Sequence, residues 1–160
     1  MKVIQPPSLL LTIVNHKVLE SPHAHGMTFS LAYGVMNHRD GRTRLALAGS
    51  VPVILCRNNG DIQVFESDSA PVGQTAVTRY DDHEFVLQAG DRLLMLTHGL
   101  MRILNKTSPS VLNTLSGLMK LSTLEPLDAV YNTLQHWLDT LGVSTDTEDL
   151  TLLLLERSAP

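Results

Sequence analysis

Asp91-Arg92-Leu93-Leu94-Met95-Leu96-Thr97-His98-Gly99-Leu100 is an apolar run that ends abruptly in a polar residue and a glycine. The run is too short to be a helix of its own and follows the turn signal Ala89-Gly90-Asp91, so it reads as a buried strand feeding a helix. Chemistry is often placed where a strand gives way to a loop. The side chain at this strand end is His98.

Upstream, Met27–Asn37 has period two, with Phe29, Leu31, Tyr33 and Val35 on one side and Thr28, Ser30, Ala32 and Gly34 on the other. His38-Arg39-Asp40-Gly41-Arg42 is a hairpin connection that returns the chain as Thr43–Ala48. Asn59-Gly60, between Val53–Arg57 and Ile62–Glu66, is the strongest short-range hairpin signal in the chain. A third hairpin is expected to pair Glu84–Leu87 with Arg92–Thr97.

Helices flank these strands. Ser8–Glu20 sets Leu9, Leu10, Ile13, Val14 and Lys17 or Val18 at helical spacing, with Ser8 available as a cap and Ser21-Pro22 as a stop. Val111–Leu121 and Pro126–Leu141 repeat the pattern, and the series Leu118, Leu121, Leu124, Leu127 reads as core. After the polar stretch Gly142–Thr147, Leu150–Leu155 reads as a last strand buried on both faces and lying inside the sheet. The fold class is α+β, an antiparallel β-sheet or sandwich packed with α-helices.

Composition narrows the function. The chain has 160 residues, 43% hydrophobic and 18% charged, which suits one folded domain spanning residues 1–160. A net charge of −4 without a basic cluster argues against a nucleic-acid surface, because neutralising phosphates takes gathered Lys and Arg. Cys56 stands alone in an apolar run, so it reads as a buried small hydrophobe and no disulfide forms within the chain. No signal peptide opens the sequence and no apolar run is long enough for a bilayer, from which a cytoplasmic location and no membrane contact are expected.

Several short motifs, in order, resemble the SpoIIE-type branch of the metal-dependent (PPM) serine/threonine phosphatases of bacterial signalling. The helix Pro7–Leu19 with its late Asn15, then Phe29-Ser30-Leu31-Ala32-Tyr33-Gly34-Val35, is similar to the family's asparagine-bearing helix and "TLxYG" strand. Gly41–Pro52 resembles "GxLxxAxAGHxP" with Ser50 in place of the histidine, and Ala70-Pro71-Val72-Gly73 resembles "xPLG". Gly90–Gly99 resembles "GDxLLLxTDG" with His98 in place of the aspartate, and Glu148-Asp149-Leu150-Thr151-Leu152-Leu153 resembles "DDITLL".

The resemblance implies two divalent ions, Mn²⁺ or Mg²⁺, held by aspartates and water and activating a water against phosphoserine or phosphothreonine. It covers the C-terminal two-thirds of the family's domain, truncated at the N-terminal side, so the family's first two aspartates have no counterpart. The metal positions that match are His98, Glu148 and Asp149; the binding-loop positions are Gly49, Ser50 and Gly99. An imidazole in place of a carboxylate removes a negative charge and favours Zn²⁺ over Mg²⁺. The expectation is therefore a pseudophosphatase with no catalytic residue assigned and no cofactor. It would form part of a longer signalling protein and bind a protein partner such as a phosphorylatable regulator or a sigma or anti-sigma factor. The alternative is an active Mn²⁺- or Mg²⁺-dependent phosphatase whose preceding segment supplies the missing aspartates. Uncovered sheet edges make a homo-oligomer a further expectation.

Plainer readings stand beside these. His98 could simply hydrogen-bond a neighbouring carbonyl, and Glu148-Asp149 could cap a strand entry. His23 and His25 read as a solvated turn, Asp81-Asp82-His83-Glu84 as a solvated acidic turn with Ca²⁺ binding as its alternative, and Asp91 as turn chemistry.

Overall fold

The first helix, α1 (Pro7–Glu20), starts where Pro6 and Pro7 preset the backbone and stops where Ser21, held extended by Pro22, leaves the helical region at φ −80°, ψ 119°. In chain order there follow a 3₁₀ turn (Pro22–Ala24), β1 (Leu31–Met36), β2 (Arg42–Ala48), β3 (Val53–Cys56), β4 (Ile62–Phe65), β5 (Asp82–Val86) and β6 (Arg92–Leu96). The remainder is α2 (His98–Thr107), α3 (Val111–Leu121), α4 (Leu127–Thr140) and β7 (Leu152–Glu156). The computed structural model describes residues 5–107, 110–141 and 151–158. The chain divides into two compact units, Met1–Pro52 with Phe65–Leu87, and Val53–Val64 with Gln88–Pro160.

In the first unit β1, β2 and β5 form an antiparallel sheet in that order. The β1–β2 register runs from Leu31 opposite Ala48 to Met36 opposite Thr43, and Arg44 opposite Glu84 makes a 2.8 Å ion pair across β2 and β5. α1 buries Pro7, Leu11 and Asn15, with Val14 and Val18 packed beside them, while Leu9 and Ile13 are exposed. The buried stripe is thus rotated from the one the leucine spacing suggests, because Asn15 is a core residue. Ser8 does not cap the helix with its side chain; its N–H donates to the Asp82 carboxylate at 2.8 Å, so the cap comes from β5. Complete burial of Leu11 contributes roughly 2 kcal/mol.

In the second unit the sheet order is β4-β3-β6-β7. Gly60 takes φ 86° at the β3–β4 hairpin and Asn59 Oδ1 accepts the Asp61 N–H at 3.0 Å, as the Asn-Gly signal requires. Ile54, Cys56, Leu94 and Leu96 meet Leu100, Met101 and Leu104 of α2, Leu115 and Met119 of α3, and Val130 and Leu134 of α4 in one core.

Three expectations fail here. The third hairpin does not form: β5 pairs with β2, whereas β6 pairs with β3 and β7. The Gly90-Asp91 turn is tied instead to its own unit, with Gly90 N–H on Arg157 O at 2.7 Å and Asp91 bound to the β3 end. β7 is not central. It ends the sheet among the described residues, with Leu152 and Leu154 packed on the core and Leu153 and Leu155 46% and 42% exposed. The leucine series is not all core either, since Leu121 and Leu124 are 84% and 93% exposed. α3 buries Val111, Leu115 and Met119 at i, i+4 and i+8, which turns Leu121 to the opposite face. None of the described helices is long and apolar enough to cross a membrane.

Candidate functional site

In the first unit the family-like motifs converge on α1. Asn15, 1% exposed, accepts the Gly73 N–H on Oδ1 at 2.8 Å and donates from Nδ2 to Thr75 O at 2.9 Å. The Ala70–Gly73 loop is held from its other side by Phe29, whose N–H and carbonyl both pair with Val72 at 3.1 and 3.0 Å. Gly73 must be glycine: at φ 83° an added Cβ would lie 2.2 Å from Met27 O and 2.8 Å from Val18 Cγ1. Gly49 has φ 72°, and its added Cβ would meet Ser30 Oγ at 2.5 Å and Pro71 Cγ at 3.1 Å. Its N–H donates to Ser69 O at 3.0 Å, and its carbonyl accepts from Val51 at 3.0 Å, so Ser50 stands exposed at the tip of a tight turn. Gly49 therefore shapes this turn, and Ser50 is the group it presents.

In the second unit β6 ends at Leu96 and His98 opens α2 with an exposed side chain, while Gly99 is buried. Thr97 and Thr151 hold this end of the β6–β7 ladder: Thr97 N–H donates to Thr151 O and Thr151 N–H to Thr97 Oγ1, both at 3.0 Å. Glu148 and Asp149, three and two residues before Thr151 in the sequence, lie outside the described residues. At the opposite end Asp91, 1% exposed, accepts from Asn58 N–H at 3.0 Å, Gln88 N–H at 2.8 Å and Arg57 Nη1 at 2.7 Å. Its carboxylate is consumed by structure, as turn chemistry anticipates.

The acidic stretch Asp81–Glu84 is similarly engaged. Asp82 caps α1, Glu84 pairs with Arg44, Asp81 pairs with Arg79 at 2.9 Å, and the His83 ring packs on Phe65 at 5.3 Å between centroids. His23 lies exposed in the 3₁₀ turn and His25 just after it. Burial raises the Cys56 thiol above its ordinary value, in keeping with a structural cysteine lying against Met119 O at 3.6 Å. The Tyr80 phenol is also raised by burial.

Among the described residues no three His, Cys, Asp or Glu side chains lie together as ligands for one ion. Hard cations need several carboxylate oxygens, and at the family's metal positions this sequence offers one imidazole and the pair Glu148-Asp149. Those donors alone are fewer than two hard cations require.

Two residues escaped the sequence reading. Asp82 looked like part of a solvated acidic turn, and nothing near it in the sequence announces that it caps the start of α1. Arg92 is a charge inside an apolar strand run, and such a residue is buried only when fully paired.

Antiparallel sheets accompanied by four helices, with an asparagine-anchored loop and a strand–Thr-x-Gly–helix junction, define a PPM (PP2C) phosphatase fold. The chain matches the description "Stage II sporulation protein E (SpoIIE)" over residues 2–158, and it belongs to that family. The RsbU and RsbW domains of Rv1364c from Mycobacterium tuberculosis superpose with a TM-score of 0.76 at 23% identity, over 98% of this chain and 43% of that one. The phosphatase domain of the cell fate determinant SpoIIE from Bacillus subtilis gives 0.62 at 14% identity, over 100% and 76%. RsbX in complex with magnesium gives 0.62 at 17% identity, over 91% and 63%. The chain thus spans less than half of the first of these and about three quarters of the second. No curated protein sequence matches significantly.

Proposed function

We propose that this chain is a SpoIIE-family signalling module that works by protein–protein binding, with the phosphatase frame retained and the metal chemistry lost. The observation that supports it is a division between two kinds of position. Asn15, Gly49, Gly73 and Asp91, which match the family and carry no chemistry of their own, are each held by buried hydrogen bonds or steric necessity. His98 and Ser50, which depart from the family, are exposed and present an imidazole and a hydroxyl where the family's motifs have a carboxylate and an imidazole. One imidazole beside the pair Glu148-Asp149 supplies fewer carboxylate oxygens than two divalent ions and an activated water call for. The partner of choice is a regulator of the kind found in partner switching, a phosphorylatable protein or a sigma or anti-sigma factor. The relative from Mycobacterium tuberculosis carries RsbU and RsbW domains in one chain.

A second reading is an active phosphatase completed by residues preceding this segment in a longer protein, and the pair Glu148-Asp149 favours it. The two are separated by turnover of a phosphoserine peptide by the parent protein in Mn²⁺. The binding reading expects none above a chelator control. Chelator-sensitive turnover that Glu148→Ala with Asp149→Ala abolishes would establish the enzyme.

A further inference from the structure

Arg92 opens β6 with its side chain buried and all three guanidinium nitrogens engaged. Nε donates to Glu156 Oε2 at 2.7 Å, Nη1 to Ser122 O at 2.6 Å and Nη2 to Glu125 O at 2.5 Å. Glu156 is the last residue of β7, and Ser122 and Glu125 belong to the turn between α3 and α4, which follows the exposed Leu121 at the end of α3 and carries the exposed Leu124. One side chain therefore ties an edge strand to a turn flanked by two exposed leucines. At its other end β7 is fastened by the reciprocal Thr97–Thr151 hydrogen bonds.

Among the described residues β7 pairs with β6 on one side and has no strand on the other. Such terminal strands open locally before the rest of a domain does. When β7 leaves, Arg92 loses its carboxylate and becomes an uncompensated buried cation, which must turn towards water. In turning it releases the Ser122 and Glu125 carbonyls, and the turn keeps only its own backbone hydrogen bonds to hold its shape. We propose that β7 and the α3–α4 turn open as one cooperative unit coupled through Arg92, so that the docking of β7 sets whether Leu121 and Leu124 are presented on a fixed turn.

Native-state hydrogen exchange on the whole chain tests it through four amides with defined acceptors. Arg157 donates to Asp91 O and Thr151 to Thr97 Oγ1 at the ends of β7; Ser122 donates to Leu118 O and Glu125 to Ser122 O in the turn. Glu156→Gln keeps the shape of the side chain and removes its charge. The coupled unit predicts that all four amides speed up by a common factor of roughly ten or more, the loss expected for a hydrogen bond to a charged group. Leu134→Val serves as control, since it lowers global stability without touching Arg92 and should leave the four amides, which exchange through the sub-global opening, at wild-type rates. Acceleration of Arg157 and Thr151 with Ser122 and Glu125 at wild-type rates would overturn the coupling. So would an equal response of all four to the control and to Glu156→Gln at matched stability.

Discussion

Asn15 and Gly73 are joined by a 2.8 Å hydrogen bond from the glycine N–H to the asparagine Oδ1, and the same carboxamide donates to Thr75 O. A helix thereby fixes a loop nearly sixty residues away in sequence, using a polar group with almost no contact with water. Asn15→Ala leaves one N–H and one carbonyl unpaired at a buried site, at a cost of about 2–4 kcal/mol in all. Urea denaturation should show a lowered midpoint with an unchanged slope; a shift equivalent to under about 0.5 kcal/mol, as at an ordinary surface position, would contradict the role.

Two glycines with similar backbone angles separate conformational strain from steric exclusion. Gly26 has φ 77° and nothing within 4 Å of an added Cβ, whereas Gly73 has φ 83° and would place that atom 2.2 Å from a carbonyl oxygen. Gly26→Ala should cost about 1–2 kcal/mol, the penalty of a left-handed alanine alone. Gly73→Ala should cost clearly more or prevent soluble expression. Thermal melts of the two variants side by side decide it, and equal shifts would show that the loop gives way.

Asp91 gathers two backbone N–H groups and the Arg57 guanidinium at a site 1% exposed. Asp91→Ala strands those donors and should cost about 3–5 kcal/mol, as breaking a buried pair does. Asp91→Asn, which keeps an acceptor oxygen, should recover part of the loss. Chemical denaturation of both variants checks the order, and a milder effect of alanine than of asparagine would sink the assignment.

Cys56 supplies a pH-dependent prediction. Burial raises its thiol pKa above the ordinary 9.0, so the folded chain holds that proton more tightly than the unfolded chain does. The stability linked to it is fully present below pH 9.0 and is lost as the pH rises through the folded value. At pH 8 an aromatic disulfide reagent should label the native protein only as fast as it unfolds, and promptly in urea. Prompt labelling without denaturant would mean the thiol is open to solvent.

Much of this architecture was legible from local signals. The Asn59-Gly60 hairpin, the Val111–Leu121 helix and the β1–β2 pair follow from turn chemistry and periodicity, which act over a few residues. The failures are all tertiary. Nothing local says that β5 pairs with β2 rather than with β6, or that among the described residues Leu152–Leu155 has a strand neighbour on one side and not on both. Asn15 belongs to the core because a loop far along the chain offers it two partners, and helical spacing alone places it with the polar face. His98 and Ser50, each in its own unit, could be placed from the motifs around them. The Thr97–Thr151 clasp could not, since either threonine alone is an ordinary strand residue.

The central claim is that the frame of a metal-dependent phosphatase persists here without its ion-binding chemistry. Calorimetric titration of this chain with Mn²⁺ and Mg²⁺, together with hydrolysis of a phosphoserine peptide before and after chelation, tests it directly. The account predicts no saturable binding of either ion in the micromolar range and no chelator-sensitive turnover. Stoichiometric Mn²⁺ binding accompanied by turnover that the chelator removes would contradict it and place the chain among the active phosphatases.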